Sequence, residues 1–477
     1  MLKKITVITP TGEAVLNAEE GSVLADVLSS GGYTVPAACG RRGTCGKCAV
    51  KLISGSFGNE EPKNGMIRSC KAVVTCDAVI CADFQKGEGL TDFTSEAITK
   101  KNACGIAVDI GTTTVAASLL KKDGTVVSRS CLNPQSTYGA DVISRIEACA
   151  GGALPELTRL IRDCVKELVS ELNKENEAEE LVVSGNTTML HLFCGISPES
   201  MGVSPFTPQF TDVQHLDGTE FGVKKVTILP TVSAFIGSDI VAGIYALGLH
   251  KTGKRVFLAD LGTNGELVLS DKGKLFCTST AVGPALEGAC IECGVGGIKG
   301  AVDKVFIEDG QIRYTTIGNA EPAGICGAGI TDAMALLISE NMVDEGGYLE
   351  NDLRICENVY ISQKDVRQFQ LAKSAVYSGI ETLNEVVGIG TNEIDSFLIS
   401  GGLGYYIDPE SAFTSGLLPR VNDIKAVGNT SLQGALMCIG DDEAVEEMRR
   451  ISKSCTLVDL GGNPKFSERF MNNMFFE

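Results

Sequence analysis

Two segments of the chain repeat one another, and this repeat restricts the fold more than any other feature. Each segment is an apolar run that ends in Asp-x-Gly-Thr, after which a second, mostly apolar run follows. The segments start at Gly105 and Val256 and bring Asp109 and Asp260 to equivalent positions. An apolar run that stops at a glycine and then resumes is typical of a strand–turn–strand hairpin. The sequence therefore predicts two homologous halves, each beginning with such a hairpin.

A second pair of segments repeats in the same order. An apolar run that ends in Ser184-Gly185 matches one that ends in Ser400-Gly401. The chain advances 75 residues from the hairpin aspartate to this serine in the first half, and 140 in the second. The second half should therefore contain roughly 65 additional residues, which we place within about 271–375.

The tips of these hairpins suit the phosphates of a nucleotide. Backbone N–H groups and threonine hydroxyls at a tip can surround phosphate oxygens, and the glycine turn after Ser400 lets a base or ribose lie against bare backbone. One Asp-x-Gly-Thr alone is weak, because it also occurs in plain turns, but two facing hairpins would grip a triphosphate from both sides. The predicted nucleotide-binding residues are Gly111, Thr112, Thr113, Thr114, Gly262, Thr263, Asn264, Gly265, Ser400, Gly401, Gly402 and Gly404.

Carboxylates near these tips are the candidates for catalysis. Asp109 and Asp260 are predicted to hold Mg²⁺ directly or through water. Four other acids could orient the attacking water or hold metal, although a lone carboxylate in such an acidic chain is more often a solvated surface group. They are Glu266, Asp141, Glu287 and Asp239.

The N-terminal part contains a second motif. Cys39, Cys45 and Cys48 form a C-x5-C-x2-C pattern, and Cys70 follows after 21 intervening residues. Three thiolates on a glycine-rich loop and a fourth from a distant strand are the ligand arrangement of 2Fe–2S ferredoxins. A structural zinc site is the alternative, but zinc sites usually pair two short cysteine knuckles. The alternating runs and short helix before the motif suit a β-grasp ferredoxin domain.

Charge and cysteine content limit the partners and the compartment. The formal net charge of −19 argues against nucleic acid and anionic membranes as main partners. The 18 cysteines occur without a signal sequence, so we expect reduced thiols in a cytoplasmic protein. The apolar stretch 232–250 contains Asp239 and three glycines, which favours a buried helix over a membrane span.

The motifs divide the chain into units. We predict a ferredoxin domain at 1–84, a polar linker at 85–103, and two ATPase lobes at 104–252 and 253–431. The remaining segment, 432–477, is expected to return to the first lobe.

The paired hairpins resemble the acetate kinase–sugar kinase–Hsp70–actin superfamily, whose two ribonuclease-H-like lobes close over ATP. With the ferredoxin motif in front, nearly the whole chain resembles the reductive activators of corrinoid proteins. The stretches 133–145, 283–289 and 466–475 are also similar to that family. Longer members carry a separate domain between the ferredoxin domain and the ATPase, and here only the linker stands in that place. The dimer and domain-swing geometry of those members therefore cannot be transferred directly to this chain. The resemblance leaves a homodimer open.

The resemblance implies a mixed α+β and α/β fold, with an N-terminal β-grasp ferredoxin domain and two ribonuclease-H-like lobes. It implies an ATP-dependent activase that passes an electron through a 2Fe–2S cluster to a corrinoid protein of a methyltransferase system. Cobalt(II) would be reduced to cobalt(I), with ATP and Mg²⁺ as further cofactors and a low-potential electron donor as a second partner. The alternatives are a dehydratase-type activator, a small-molecule kinase with an accessory ferredoxin domain, and a redox-sensing nucleotide-binding protein.

The choice of the fourth cluster ligand can be tested, since Cys76 and Cys81 also follow the loop. We expect Cys70→Ser to lose or greatly destabilise the cluster, because Cys70 stands at a turn exit where a loop ligand belongs. Cys76→Ser should keep the cluster, because this thiol is expected to be a small buried group. Iron analysis after anaerobic purification should give about two irons per chain for the parent protein and for Cys76→Ser. Loss of iron from Cys76→Ser alone would show that the ligand choice is wrong.

Overall fold

The computed structural model describes residues 2–9, 12–30, 33, 35, 48–82, 103–175, 177–262, 264–404, 407–421 and 423–476. The first unit is a five-stranded sheet with the order β2-β1-β7-β3-β5, in which β1 is antiparallel to β2 and parallel to β7. This is the β-grasp arrangement predicted for a ferredoxin domain. Its elements are β1 (Leu2–Thr9), β2 (Gly12–Glu19), α1 (Leu24–Ser30), β3 (Ala49–Ser54), β4 (Phe57–Gly58), β5 (Met66–Arg68), β6 (Val73–Val74) and β7 (Ala78–Cys81).

The second unit is a six-stranded sheet with the order β10-β9-β8-β11-β13-β12. Helix α3 packs on β9 and β10 because its apolar residues recur every three to four positions along one face. The elements are β8 (Gly105–Ile110), β9 (Thr114–Leu120), β10 (Val126–Leu132), α2 (Val142–Ala148), α3 (Leu154–Leu172), β11 (Glu180–Gly185), α4 (Thr187–Cys194), β12 (Gln214–Asp217), β13 (Lys225–Ile228) and α5 (Ser238–Ala246).

The third unit contains a sheet with the order β23-β22-β14-β15-β16-β24. Its first elements are β14 (Arg255–Leu261), β15 (Gly265–Asp271), β16 (Lys274–Thr280), β17 (Ala301–Glu308), β18 (Gln311–Thr316), β19 (Gly324–Ile325), α6 (Gly327–Ser339), β20 (Leu353–Cys356), β21 (Val359–Ile361) and α7 (Gln363–Val387). The remaining elements are β22 (Ser396–Ser400), α8 (Gly401–Gly404), α9 (Pro409–Thr414), β23 (Ile424–Gly428), α10 (Thr430–Cys438), α11 (Asp442–Ser454), β24 (Thr456–Leu457) and α12 (Pro464–Asn472).

Five strands of the two six-stranded sheets correspond in order, and the sixth, β12 or β24, is added at opposite edges. This correspondence confirms the predicted pair of ribonuclease-H-like lobes. In each sheet the first strand, β8 or β14, is antiparallel to the strand that follows it and parallel to β11 or β22. The first strand of each hairpin and its parallel neighbour therefore lie in the interior of the sheet. The first strands, β8 and β14, carry the repeated aspartates near their carboxyl ends.

The extra residues of the second lobe occupy part of the range 271–375 in which the sequence placed them. Strand β16 falls inside the predicted insertion, but it pairs with β15 as β10 pairs with β9, and so belongs to the repeat. Helix α7 takes the place of α3 between the hairpin and the next parallel strand. The additional residues therefore lie between β16 and α7, where β17 to β21 and α6 form.

Helices α5 and α10 pack against each other between the two sheets. They approach closely because glycines face the contact. A Cβ atom added to Gly434 would lie 2.3 Å from the carbonyl oxygen of Ala242, and one added to Gly243 would lie 2.7 Å from Oγ1 of Thr430. Helix α10 comes from the second half of the chain but also packs on β8 and β11 of the first lobe.

The end of the chain differs from its prediction. Helix α10 does return to the first lobe, but β24 pairs with β16 and α12 packs on α7, both in the second lobe. Polar bonds explain the position of α12, since Arg469 pairs with Glu385 and the Asn473 amide donates to Ser378 and Glu381. Among the described residues, no helix has the length and apolar character needed to cross a membrane.

The contact between α5 and α10 gives a stability prediction. Gly434→Ala should lower the free energy of unfolding by about 1–3 kcal/mol, because the new methyl group would overlap backbone atoms of α5. Gly253→Ala is the matched control, since a Cβ atom there meets nothing within 4 Å. Thermal unfolding should separate the two variants, and equal melting temperatures would contradict a close helix contact.

Candidate functional site

The carboxylate of Asp109 is held from the other half of the chain. Its Oδ1 accepts a hydrogen bond from Oγ of Ser431 at 2.7 Å, and its Oδ2 accepts one from Nδ2 of Asn429 at 2.7 Å. Both donors lie at the start of α10, where Asn429 also caps the helix. The aspartate at the end of β8 is therefore fixed by the helix that links the two lobes.

The equivalent carboxylate, Asp260, is held within its own lobe. Its Oδ2 accepts a hydrogen bond from Oγ of Ser400 at 2.8 Å. Gly401 has a φ of +83°, and a Cβ atom there would lie 2.6 Å from Oδ1 of Asp260. Glycine is therefore required at this position by both backbone conformation and space. Ser400 is fully buried, so the structure uses it to hold the carboxylate rather than to face a base or ribose.

Two other acids join these aspartates. Burial, followed by the charges of Asp260 and Asp109, raises the pKa of Asp239 to about 8. Burial, with the charges of Asp239 and Asp260, raises the pKa of Glu266 well above its usual range. The four carboxyl groups thus lie close enough together for charge to raise the pKa values of Asp239 and Glu266, which the linear sequence did not show.

The pKa values of the hairpin aspartates are raised as well. Burial is the main cause for Asp260, whose pKa is about 6, and Asp109 and Glu287 add to the effect. Burial also raises the pKa of Asp109, against the hydrogen bonds from Ser431 and Asn429. The Oγ1 hydroxyl of Thr113 donates to Oε2 of Glu287 at 3.3 Å, which places this acid beside the first hairpin tip.

A cation suits this arrangement, because like charges crowded away from water are stabilised by an opposite charge. Within the described ranges, no three His, Cys, Asp or Glu side chains come together closely enough to hold one metal ion. An ion bound here would use one or two of these carboxylates and keep other ligands, which is how Mg²⁺ usually binds in nucleotide sites.

The hairpin tips are tight turns. At the first tip, the N–H of Gly111 donates to the carbonyl of Thr114 at 2.9 Å, and a Cβ atom on Gly111 would lie 2.6 Å from that oxygen. At the second tip, the N–H of Gly262 donates to the carbonyl of Asn264 at 3.0 Å. Among the described residues, the N–H groups of Thr112 and Thr113 donate to no acceptor, so both are available to phosphate oxygens.

The other predicted nucleotide residues occupy different places. Gly265 opens β15 against the side chain of Val282, and Gly402 and Gly404 lie in the short helix α8. Thr114 begins β9, and Thr263 lies outside the described residues. Asp141 does not join the acid cluster, because its carboxylate caps α2 by accepting the N–H of Ser144 at 2.7 Å.

Sequence reasoning missed three residues that hold the site. Asn429 and Ser431 bind Asp109, and their only local signal was that asparagine and serine favour helix starts. Arg145 was noticed only as part of a stretch similar to the family. In the structure its guanidinium is fully buried and donates to the carbonyl of Thr112 at 2.6 Å.

Two of the four predicted cluster ligands can be located. The sulfur atoms of Cys48 and Cys70 are 3.2 Å apart and buried, close enough to bind one small cluster yet well beyond the length of a disulfide bond. Cys39 and Cys45 lie outside the described residues. Cys76 instead contacts Ser56, and Cys81 lies in β7, partly exposed. The donor set that is described thus fits the ligands expected for a 2Fe–2S cluster.

Comparison with known proteins agrees with this architecture. The family model described as "C-terminal domain of RACo the ASKHA domain" matches residues 254–477, and "RACo middle region" matches 104–252. A "2Fe-2S iron-sulfur cluster binding domain" matches 7–81. "Corrinoid activation enzyme RamQ" from Eubacterium limosum is 33% identical over 435 residues, which cover 82% of this chain and 73% of that one. The chain belongs to the RACo family of reductive activators of corrinoid proteins.

Two further proteins are similar to this chain. The solved structure "Reductive activator for corrinoid,iron-sulfur protein" superposes with a TM-score of 0.74 at 25% identity, and the match covers 99% of this chain and 98% of that chain. The "[Co(II) methylated amine-specific corrinoid protein] reductase" of Methanosarcina barkeri is 22% identical, with 74% of this chain and 73% of that one covered.

The family assignment settles several expectations. As a family member, the chain is a corrinoid activation enzyme with a ferredoxin domain and an ASKHA ATPase domain, and the latter implies ATP binding. The family's middle-region model lies on residues 104–252, which form the first lobe. The region of that name is therefore present here as a ribonuclease-H-like sheet and not as a separate domain replaced by the linker.

The raised pKa of Asp239 gives a pH prediction for the nucleotide-free chain. Between its ordinary value of 3.8 and about 8, the folded chain keeps a proton that the unfolded chain has lost. The contribution of this group to the free energy of unfolding should therefore be fully present below pH 3.8 and should be lost progressively as the pH rises to about 8. Asp239→Asn removes the titration and should flatten the fall in melting temperature between pH 6 and pH 8.

Asp217→Asn is the control for this measurement. Hydrogen bonds from Thr219 lower the pKa of Asp217, so this group is ionised in both states above pH 6 and should not alter the slope. A slope that Asp239→Asn leaves unchanged would show that Asp239 is ionised in the folded chain.

Proposed function

We propose that this chain uses the binding and hydrolysis of MgATP to drive electron transfer from its 2Fe–2S domain to a corrinoid protein of a methyltransferase system. Cobalt(II) in that partner would be reduced to cobalt(I). The observation that carries the proposal is that both hairpin tips lie beside Glu287, which accepts a hydrogen bond from Oγ1 of Thr113 at 3.3 Å and whose Oε1 would lie 3.3 Å from a Cβ atom on Gly262. In a member of this family, two neighbouring hairpin tips that carry Asp109 and Asp260 support a triphosphate site.

Energy input is required because cobalt(I) is a strongly reducing species. Ferredoxin-type 2Fe–2S clusters have potentials of about −400 mV, and the bound cluster supplies one-electron transfer. Transfer to an acceptor of lower potential becomes favourable only when another step shifts the equilibrium. A change of lobe position that depends on nucleotide, and that the partner also senses, provides such a step.

The residues near the two hairpin tips would have different roles in binding and hydrolysis. Asp109 and Asp260 would position Mg²⁺ through water, while the N–H groups of Thr112 and Thr113 would bind phosphate oxygens. Burial raises the pKa values of Asp239 and Glu266, and a bound divalent cation would favour their ionised forms. Either carboxylate, once ionised, would accept a hydrogen bond from the attacking water and take up its proton. Because Asn429 and Ser431 bind Asp109 from α10, movement at the first hairpin is passed directly to the helix between the lobes.

The finer identity of the partner follows from the relatives. The Methanosarcina barkeri relative is a reductase of a methylated amine-specific corrinoid protein, so we propose a corrinoid protein of methyl-group metabolism as the substrate here. A low-potential reductant would reload the cluster. We place the reaction in the cytoplasm, where the thiol ligands stay reduced before cluster assembly.

Coupling can be tested with titanium(III) citrate as an artificial electron donor. The full chain should reduce a purified methylated-amine corrinoid protein only when ATP and Mg²⁺ are present, as followed by the cobalt(I) absorbance. Asp260→Asn should slow this reaction by about 100-fold, because it removes a charge that positions the metal and phosphates. Its cluster spectrum should stay unchanged, since the cluster ligands belong to another domain.

Asp332→Asn is the matched control. Burial raises the pKa of Asp332 to about 6, as it does for Asp260, but this side chain accepts the N–H of Val305 and stands apart from the acid cluster. Its variant should keep ATP-dependent reduction. Equal reduction with and without ATP in the parent protein would remove the energetic role that we give to the lobes.

A further inference from the structure

A short 3₁₀ turn, Pro134–Thr137, lies between the ferredoxin domain and the first hairpin tip. Helix α1 of the ferredoxin domain packs against this turn. On its other side, the turn is packed on α3, where Nε2 of Gln135 donates to the carbonyl of Leu157 at 2.9 Å. The turn thus forms a physical contact between the domain that carries the cluster ligands and the lobe that carries the first nucleotide hairpin.

Residues on either side of the turn are bonded to three carbonyl groups of the hairpin tip. The N–H of Asn133 donates to the carbonyl of Thr113 at 2.8 Å, and its Nδ2 donates to the carbonyl of Gly111 at 2.8 Å. Arg145 completes the set, because its Nη2 donates to the carbonyl of Thr112 at 2.6 Å and its Nη1 to Oε1 of Gln135 at 3.2 Å. Three consecutive carbonyls of the tip are therefore linked by hydrogen bonds to the residues that flank or fix the turn.

Arg145 is unusual in its burial and in its hydrogen-bond partners. Its side chain is 0% exposed, and the hydrogen bonds it makes go to two carbonyl groups, the amide of Gln135 and the sulfur of Met189 rather than to a carboxylate. Burying a guanidinium costs free energy that a carboxylate partner would normally offset. Here a rigid fork of donors is used to fix three backbone segments relative to one another, a geometry that only arginine supplies.

The turn also connects to the cluster ligands through α1. The N–H of Ala25 in α1 donates to the carbonyl of Ser69 at 3.1 Å. Oγ of Ser69 donates to the carbonyl of Cys48 at 2.8 Å, and Cys70 is the next residue. A continuous series of contacts thus runs from the two located cluster ligands through α1, the turn and Arg145 to the hairpin tip.

We propose that the turn 134–137, fixed by Gln135 and Arg145, is the coupling element between nucleotide and ferredoxin domain. When phosphate binding moves the tip, the hydrogen bonds to its carbonyl groups move the turn. The turn then changes the position of α1 on the first lobe. Nucleotide state would then determine how the ferredoxin domain rests on the first lobe. Gln135 and Arg145 act here as positioning residues. The inference rests on the proposed nucleotide site at the first hairpin.

Hydrogen–deuterium exchange on the anaerobic, cluster-containing full chain tests this directly. In the parent protein, a nonhydrolysable ATP analogue with Mg²⁺ should change amide exchange both at 111–114 and in α1, by about fivefold or more. Gln135→Met keeps the size of the buried side chain but loses the bond to Arg145. It should retain the change at 111–114 and lose the change in α1.

Gln370→Met is the matched control, because Gln370 is equally buried, at 1% exposure, and its amide donates to the carbonyls of Gly346 and Met474 in the second lobe. This variant should keep the response in α1. Arg145→Lys is a second test, which keeps the charge but not the fork, and it should lose the α1 response while its cluster absorption shows a folded ferredoxin domain.

The outcomes separate the two proposals. A full α1 response in Gln135→Met or Arg145→Lys would overturn the coupling role of the turn. A parent protein that shows no exchange change at 111–114 would overturn the nucleotide site and the coupling role together. If the parent shows both exchange changes but reduces its corrinoid partner without ATP, the coupling element stands and only the proposed energetic function is lost.

Discussion

The hydrogen bonds that hold the carboxylate of Asp109 join the two halves of the chain at the point where nucleotide chemistry is expected. Their donors, Asn429 and Ser431, lie 320 and 322 residues further along the sequence. They can reach Asp109 only because α10 crosses from the second lobe to pack on β8, beside α5. The glycines that allow this crossing therefore place the acid cluster as well as the helices. A change in the angle between the lobes must alter the surroundings of Asp109.

The acid cluster has an electrostatic cost in the absence of ligand. The pKa values of Asp239, Asp260 and Glu266 are all raised, because burial and neighbouring like charges both disfavour ionisation. A divalent cation with a triphosphate reverses this balance, since the cation favours the ionised carboxylates while the phosphates bind the hairpin N–H groups. Ligand binding and cleft geometry are thus linked by charge. The carbonyls of the same hairpin tip are bonded to Asn133 and Arg145, on either side of the turn that contacts the ferredoxin domain.

Local patterns accounted for much of the architecture. The repeat predicted two lobes and the positions of Asp109 and Asp260, because glycine turns between apolar strands are visible in a few neighbouring residues. Cysteine spacing predicted the ferredoxin domain for the same reason. The sequence placed the extra residues within about 271–375 but gave no finer limits, since β16 has no sequence signal that distinguishes the repeat from an insertion. The end of the chain was assigned to the wrong lobe at α12, whose position depends on bonds to α7.

The sequence by itself determined the hairpins, the paired lobes and the cluster-ligand motif, because each depends on residues close together in the chain. Only the tertiary structure decided that four acids from separate segments lie near one another, that Ser400 holds Asp260, and that Asp141 caps a helix. It also decided the role of Arg145, whose three anchoring groups come from separate segments of backbone and side chain. Contacts of this kind depend on packing between elements that are distant in the sequence, so no local pattern could predict them.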